Sequence, residues 1–234
     1  MIDIPSSALA GMIDHTALRP ETTAGQIDRL CAEAIEYGFA ALCVMPYWVP
    51  RAAARLGSGS TVAIATTIGF PLGAHDSRIK IAETRQALQD GAAEIDMVMN
   101  IGAFLSGDFA TVSDDIAGVV EAARSLRGLV KVIIETVLLD DQAKRHACRI
   151  AADAGADFVK TSTGFSGGGA TVEDIVLMRE SVPAHLRVKA SGGIRDCRTA
   201  LAMIEAGASR IGTSAGVAII RAPAGDIPPV QVSH

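Results

Sequence analysis

Short apolar runs recur along the chain, each bounded by glycine, proline or a polar residue, with stretches of helical spacing between them. Runs of that length flanked by breakers read as strands buried on both faces, and the stretches between them as covering helices. Three segments share one design, a helix that ends at Gly-Ala and leads at once into an apolar run. They are Gly91-Ala92-Ala93-Glu94-Ile95-Asp96-Met97-Val98, Gly155-Ala156-Asp157-Phe158-Val159-Lys160 and Gly207-Ala208-Ser209-Arg210-Ile211-Gly212. Glycine just past a helix takes the left-handed cap conformation cheaply, after which the chain can enter the sheet. The first two segments start 64 residues apart and the last two 52, so each gap has room for two strand–helix units of about 26 to 32 residues.

Reading outward from these segments gives eight units. A lead-in helix from about Ser6 precedes strand one at 12–16, and a helix over 22–37 follows with Thr22 or Thr23 as its cap. Strand two covers 41–45, and Pro46 turns the chain into a helix ending near Leu56. Strand three, 62–68, runs into the breaker-rich Gly69-Phe70-Pro71-Leu72-Gly73, and the helix over 77–89 shows apolar spacing at Ile81, Leu88 and the alanines between. Strand four (94–99) leads to helical segments reaching Leu126, and strand five (130–135) to a helix over 140–154. Strand six ends on Lys160, with a helix over 171–180 behind it. Strand seven (187–189) is followed by a helix that Asp196 caps and that runs to Ala206, and strand eight (210–212) by a last helix. Eight alternating strands with none left over predict an α/β fold, a TIM (β/α)8 barrel with an extra N-terminal helix. Residues 1–220 then form a single barrel domain, and 221–234, rich in Pro and Gly, a loose tail.

Composition narrows the class. Of 234 residues 49% are apolar and only 4% aromatic, so Ala, Val, Ile and Leu must fill the core, as in parallel sheets. A net charge of −5 argues against general nucleic-acid binding but allows an anionic small substrate where positive groups converge. Cys31, Cys43, Cys148 and Cys197 form no C-x-x-C pair, so neither a zinc site nor a disulfide framework is suggested. The five histidines lack ligand spacing, and no metal or cofactor is expected. His15 reads as packed or surface, and Cys43 as a small core residue. The N-terminal residues lack a secretory pattern, and no run reaches the ~18 apolar residues of a membrane span. A soluble, cytoplasmic protein is the expectation.

Candidate chemistry collects where a barrel keeps its active site, at the carboxyl ends of the strands. Of five lysines, Lys80 and Lys144 fall on outer helices and read as solvated, and Lys131 begins strand five, at the opposite, stability face. Lys160 and Lys189 alone end strands, and those strands are neighbours. Strands lie ~4.8 Å apart, which brings two inward ammonium groups within about 6 Å. At an effective dielectric near 20 they repel by about 2.8 kcal/mol, roughly two pKa units. Burial acts in the same direction, so one amine should lose its proton near pH 8 rather than ~10.4 and become a nucleophile toward a carbonyl. The bland alternatives are that Lys160 snorkels into water or that the two lysines point apart. Asp96 lies within an apolar strand of the same parity and can share a barrel layer with Lys160, either as a proton relay or as a structural partner of Lys189. The glycine-rich loop after Lys160, Ser191-Gly192-Gly193-Ile194 after strand seven and Gly212-Thr213-Ser214-Ala215-Gly216 after strand eight offer backbone N–H groups to an anion.

Several of these stretches belong together. Ile13-Asp14-His15-Thr16, Leu42-Cys43-Val44, Ile68-Gly69-Phe70-Pro71-Leu72-Gly73, Glu94-Ile95-Asp96-Met97-Val98, Phe158-Val159-Lys160-Thr161-Ser162-Thr163-Gly164 and Val188-Lys189-Ala190-Ser191-Gly192-Gly193 closely resemble the deoxyribose-phosphate aldolase family. The resemblance spans about residues 12 to 216. It implies a class I aldolase that reversibly cleaves 2-deoxy-D-ribose 5-phosphate to acetaldehyde and D-glyceraldehyde 3-phosphate. It further implies a Schiff base on Lys160, proton relay by Asp96 and Lys189, and sugar contacts from Asp14, Thr16 and Thr163. The phosphate would meet Gly164, Gly192, Gly193, Gly212, Thr213 and Ser214. Two departures stand out. Phe165 takes the place of a lysine that some members carry after the strand-six glycine, so phosphate binding leans on backbone N–H groups. The tail also lacks the tyrosine with which some members end. The expected partners are a small phosphosugar and aldehydes, not nucleic acid or membrane, and a homo-oligomer, dimer or tetramer, is compatible with the chain. Rival readings are a related Schiff-base aldolase acting on another phosphosugar, an isomerase using Asp96 as base, and a barrel that binds sugar phosphates without turnover.

Overall fold

The computed structural model describes residues 4–221. Its eight strands are β1 (Ile13–Ala17), β2 (Ala41–Val44), β3 (Ala63–Ile68), β4 (Glu94–Val98), β5 (Leu129–Ile133), β6 (Phe158–Lys160), β7 (Arg187–Ser191) and β8 (Arg210–Thr213). They pair in parallel in sequence order, and β8 closes on β1. The helices are α1 (Ser6–Ala10), α2 (Ala24–Tyr37), α3 (Val49–Leu56), α4 (Ser77–Gln89), α5 (Ile101–Leu105), α6 (Phe109–Ser125), α7 (Asp141–Asp153), α8 (Val172–Ser181), α9 (Cys197–Glu205) and α10 (Gly216–Arg221). This is the expected TIM barrel with its lead-in helix. Among the described residues no helix is long and apolar enough to cross a membrane.

The three Gly-Ala segments do one job. Gly91, Gly155 and Gly207 have φ of +112°, +86° and +114°. After each, the alanine N–H turns back onto its helix, from Ala92 to Ala87 O at 3.0 Å, Ala156 to Ala151 O at 3.0 Å and Ala208 to Met203 O at 2.9 Å. This reverse bond satisfies an orphan carbonyl and aims the chain into the sheet. At helix starts, Thr23 N donates to Gln26 Oε1 at 2.7 Å and Thr199 N to Asp196 Oδ1 at 2.8 Å, which settles the first cap on Thr23.

Alternation along the strands sorts the side chains. Outward residues such as Ile13, Leu42, Ile64, Ile95, Val132, Val188 and Ile211 join the main core under the helices. Inward positions on β2 and β3 are small, and Ala41, Cys43 and Ala65 form a separate apolar cluster with Leu18. Burial pushes the Cys43 thiol up to about 11, consistent with a packed residue. His15 points outward from β1, buried, with Nε2 2.8 Å from Glu33 Oε2. Arg221, assigned to the tail by the sequence, closes α10 and donates to Tyr37 Oη at 2.6 Å. The rest of the expected tail lies outside the described residues.

Two lysines contradict the expectation of solvated charges. Lys80 is fully buried, donating to Asp115 Oδ2 at 2.5 Å and to the Val98 carbonyl at 3.0 Å. The apolar spacing of α4 misplaces its face, because Ile81 lies against Gly118 of α6 while Lys80, Thr84 and Ala87 are the buried positions. Lys144 is pinned 2.7 Å from Asp174 Oδ1 and 3.2 Å from Asp141 Oδ1. Removing one member of a buried pair strands the other charge. Lys80→Met should therefore cost about 3 kcal/mol in denaturant unfolding, and adding Asp115→Leu should restore most of it. A wild-type midpoint for the single variant would show that the pair contributes nothing.

Candidate active site

Asp96 is the middle residue of β4, fully buried and turned into the barrel. Its Oδ2 accepts from Lys160 Nζ at 2.8 Å and from Lys189 Nζ at 2.7 Å, and its Oδ1 from Lys131 Nζ at 2.7 Å. The register sets Lys160 directly beside Lys189 and Asp96 beside Lys131. The two strand-end lysines thus point together, bridged by the carboxylate. Asp14 accepts from Lys189 through Oδ2 and from Arg210 Nη1 at 2.6 Å through Oδ1. Glu94 lies 2.6 Å from Lys131 Nζ and 3.0 Å from Arg210 Nη1.

Lys131 corrects the sequence expectation. Strand five starts at Leu129, so Lys131 is its middle residue, fully buried and aimed inward, not a residue of the stability face. The clue was in the chain. Glu94, Asp96 and Lys131 are charged residues within apolar strands, and alternation puts Glu94 on the same face as Asp96. Arg210, at the start of β8, and the buried Glu135, just after β5, were missed as well.

The charges do not balance when all are ionised, since Lys131, Lys160, Lys189 and Arg210 face Asp14, Glu94 and Asp96. Loss of one proton neutralises the cluster, and the environment selects Lys160 for it. Burial pulls the Lys160 pKa down, Asp96 pulls it up, and Lys189 pushes it down again, leaving it below the ordinary lysine value. Burial, with Lys189 as the second downward influence, therefore replaces charge repulsion as the main cause. For Lys189 and Lys131 burial also favours the neutral amine, but Asp14 and Asp96 at the first, and Asp96 with further carboxylates at the second, outweigh it and raise both. Burial would raise Asp96, yet the three lysines hold it well below the usual carboxylate range.

Above this cluster a cavity of about 540 Å³ opens at the strand ends. Of the expected site residues, Lys160, Thr16, Thr163, Gly164, Gly192, Gly193, Gly212, Thr213 and Ser214 line it. Asp14, Asp96 and Lys189 lie beneath it, so Asp14 supports the floor and does not line the cavity. Gly212 gives Lys189 its room, because a Cβ there would come within 3.0 Å of Lys189 Cε. The loop after Lys160 is less open to an anion than its glycines suggest, since Thr163 N donates to Glu135 and Phe165 N to Thr163 Oγ1. Arg19 and Arg195, which the sequence did not single out, add positive charge to the cavity wall. A second depression of about 540 Å³ lies on the outer wall by Phe104, Phe109 and His146, with no lysine and no strand end in its lining.

Fold and site together define a (β/α)8 barrel of the enzyme type, with its charged cluster and cavity toward the carboxyl ends of the strands. The chain belongs to the DeoC/LacD family of aldolases, whose family model matches residues 8–223. It is 60% identical over 213 residues to deoxyribose-phosphate aldolase 1 of Bacillus licheniformis, covering 91% of this chain and 95% of that one. Deoxyribose-phosphate aldolase of Brevibacillus brevis is 59% identical, with coverage of 89% and 93%. Among solved structures, the tetrameric deoxyribose phosphate aldolase of Aeropyrum pernix superposes with a TM-score of 0.86 at 35% identity, covering 92% of this chain and 90% of that one.

The cluster makes acid stability predictable. Burial would raise the Asp14 pKa, but Lys189, Lys131 and Arg210 pull it from 3.8 to about 2. A carboxylate depressed in the folded state stabilises fully above its unfolded pKa and loses that contribution as pH falls through the folded one. Asp14 should thus contribute on the order of 2 kcal/mol above about pH 4, lost by about pH 2. In Asp14→Asn, unfolding free energies measured across this window should be lower at pH 7 and fall less steeply toward pH 2. A wild-type slope would show that Asp14 is not ionised by the cluster.

Proposed function

We propose that the chain cleaves 2-deoxy-D-ribose 5-phosphate reversibly to acetaldehyde and D-glyceraldehyde 3-phosphate through a Schiff base on Lys160. One observation carries this reading. Of the lysines bonded to Asp96, Lys160 alone has a lowered pKa and alone lines the cavity. The relatives named above support the substrate.

In this reading the neutral Lys160 amine adds to the C1 carbonyl, and the resulting carbinolamine loses water to give an iminium ion. A base removes the proton of the C3 hydroxyl, the C2–C3 bond breaks, and its electron pair flows into the iminium to leave an enamine. Glyceraldehyde 3-phosphate departs with the new C3 carbonyl. Protonation of the enamine at C2 and hydrolysis release acetaldehyde and regenerate the amine. Asp96 Oδ2, shared between Lys160 and Lys189, supplies the proton path, with Lys189 returning protons to the site. Thr16 and Thr163 meet the sugar, while Gly164, Gly192, Gly193, Gly212, Thr213 and Ser214 receive the phosphate, with Arg19 and Arg195 beside them. A single domain of residues 1–220 performs the chemistry in the cytoplasm, in a homo-oligomer, a reading supported by the tetrameric structure of the Aeropyrum relative.

Borohydride with acetaldehyde should place one two-carbon adduct on the peptide holding Lys160. An adduct on Lys189 alone, or none from active enzyme, would overturn the assignment.

The role of Lys189 is tested separately. Lys189→Leu removes a like charge beside Lys160 and leaves Asp96 Oδ2 to Lys160 alone, and both changes favour the protonated amine. The acid limb of adduct formation should rise by about one to two pH units, with the deficit shrinking in alkali. An unmoved limb would leave Lys189 with proton transfer or structure only.

A further inference from the structure

Glu135 follows β5 and is fully buried, in the left-handed region at φ 55° and ψ 67°. A buried residue other than glycine holds that conformation only where its surroundings impose it. Here they do. Ile134 N donates to Lys160 O and Thr136 N to Thr161 O, both at 3.0 Å, so the ladder to β6 continues on either side of the twisted residue. The carboxylate accepts from Thr163 N at 3.2 and 3.3 Å, from the Thr163 hydroxyl, and from Ser166 Oγ at 3.0 Å. Among the described residues no cation pairs with it, in contrast to Asp14, Glu94 and Asp96.

A hydroxyl has one proton to donate and two positions at which it can accept. The Thr163 proton is committed to Glu135. One accepting position is taken by Phe165 N at 3.1 Å, a group that can only donate. What remains is a single acceptor on the side chain of a residue that lines the cavity. Thr163 stands three residues past Lys160 and next to Gly164, between the amine and the glycine loops. With the carbonyl carbon at Lys160 and the phosphate at the glycine loops, as proposed above, a group bound at Thr163 falls between the two.

We propose that Glu135 is a positioning residue that fixes the Thr163 hydroxyl as an acceptor toward the cavity and thereby selects acceptor aldehydes bearing a hydroxyl between carbonyl and phosphate. The inference rests on the aldolase reading above and adds which acceptor aldehydes that site would prefer. An acceptor-only group bonds a substrate O–H and is left unpaired by a methylene. Without Glu135 nothing holds the threonine hydroxyl in the one rotamer that presents its free acceptor to the cavity, and the selection weakens.

The test compares kcat/KM for two acceptors with acetaldehyde as donor, namely glyceraldehyde 3-phosphate and 3-oxopropyl phosphate, which lacks the C2 hydroxyl. Wild type should prefer the hydroxylated acceptor by about tenfold or more, the scale of one hydrogen bond. Glu135→Gly removes the carboxylate at a backbone conformation that suits glycine, and should reduce the preference to within about threefold. Trapping of the acetaldehyde adduct on Lys160 should stay within about threefold of wild type. Glu135→Gln retains an oxygen for the Thr163 proton and should keep most of the preference. Should Glu135→Gly fail to fold, Glu135→Met, which fills the space, takes its place with the same expectation. A preference that survives in either variant overturns the proposal, as does active wild type that shows none. A wild type inactive on deoxyribose 5-phosphate would instead overturn the functional reading, and this inference with it.

Discussion

The site depends on how the charge of one carboxylate is divided. Asp96 Oδ1 is taken by Lys131, and Oδ2 is shared between Lys160 and Lys189. In a dry barrel interior a carboxylate with neither cations nor hydrogen-bond donors around it would take up a proton rather than stay charged, so the lysines keep Asp96 anionic. Asp96 and Asp14 in turn keep Lys189 cationic. Lys160 is left with half of one oxygen, a like charge beside it and almost no water. It is the member of the cluster for which neutrality is the easier state. A lysine that loses its proton readily thus follows from competition for a carboxylate, with no need for unusual chemistry at the lysine itself.

That competition needs short inward side chains on one half of the barrel and long charged ones on the other. β2 and β3 contribute Ala41, Cys43 and Ala65 to the interior, while β4, β5, β6, β7 and β8 contribute Glu94, Asp96, Lys131, Lys160, Lys189 and Arg210. The upper layer, Asp96 with Lys160 and Lys189, reaches toward the cavity. The lower one, Glu94 with Lys131 and Arg210, neutralises it from below, and Asp14 joins the two. Above them, the loops after β6 and β7 lie back to back, Ala170 N donating to Gly192 O at 3.1 Å. The groups that hold the amine and those that shape the cavity are therefore parts of one packed unit, and Glu135 ties that unit to β5.

The fold was legible because its signals are local. Glycine after each helix, short apolar runs closed by breakers and cap residues such as Asp196 are all decided within a few residues. Strand ends were less so. Placing strand five one residue late put Lys131 at the wrong face, and an apolar spacing that served the contact between α4 and α6 made buried Lys80 look solvated. Both errors concern lysines, whose long stems let the ammonium reach a partner that neighbouring residues in the chain do not reveal.

The sequence by itself determined the eight-unit barrel, the pairing of Lys160 with Lys189 at the strand ends and the presence of Asp96 on a matching face. Periodicity and chain order carry that information. Tertiary structure alone decided which lysine of the cluster gives up its proton most readily. The answer turns on Lys131, Asp14, Glu94 and Arg210, brought from β5, β1, β4 and β8 into contact only when the barrel closes. Burial and distance set the pKa of an amine, and neither exists for a residue until the strands around it are in place.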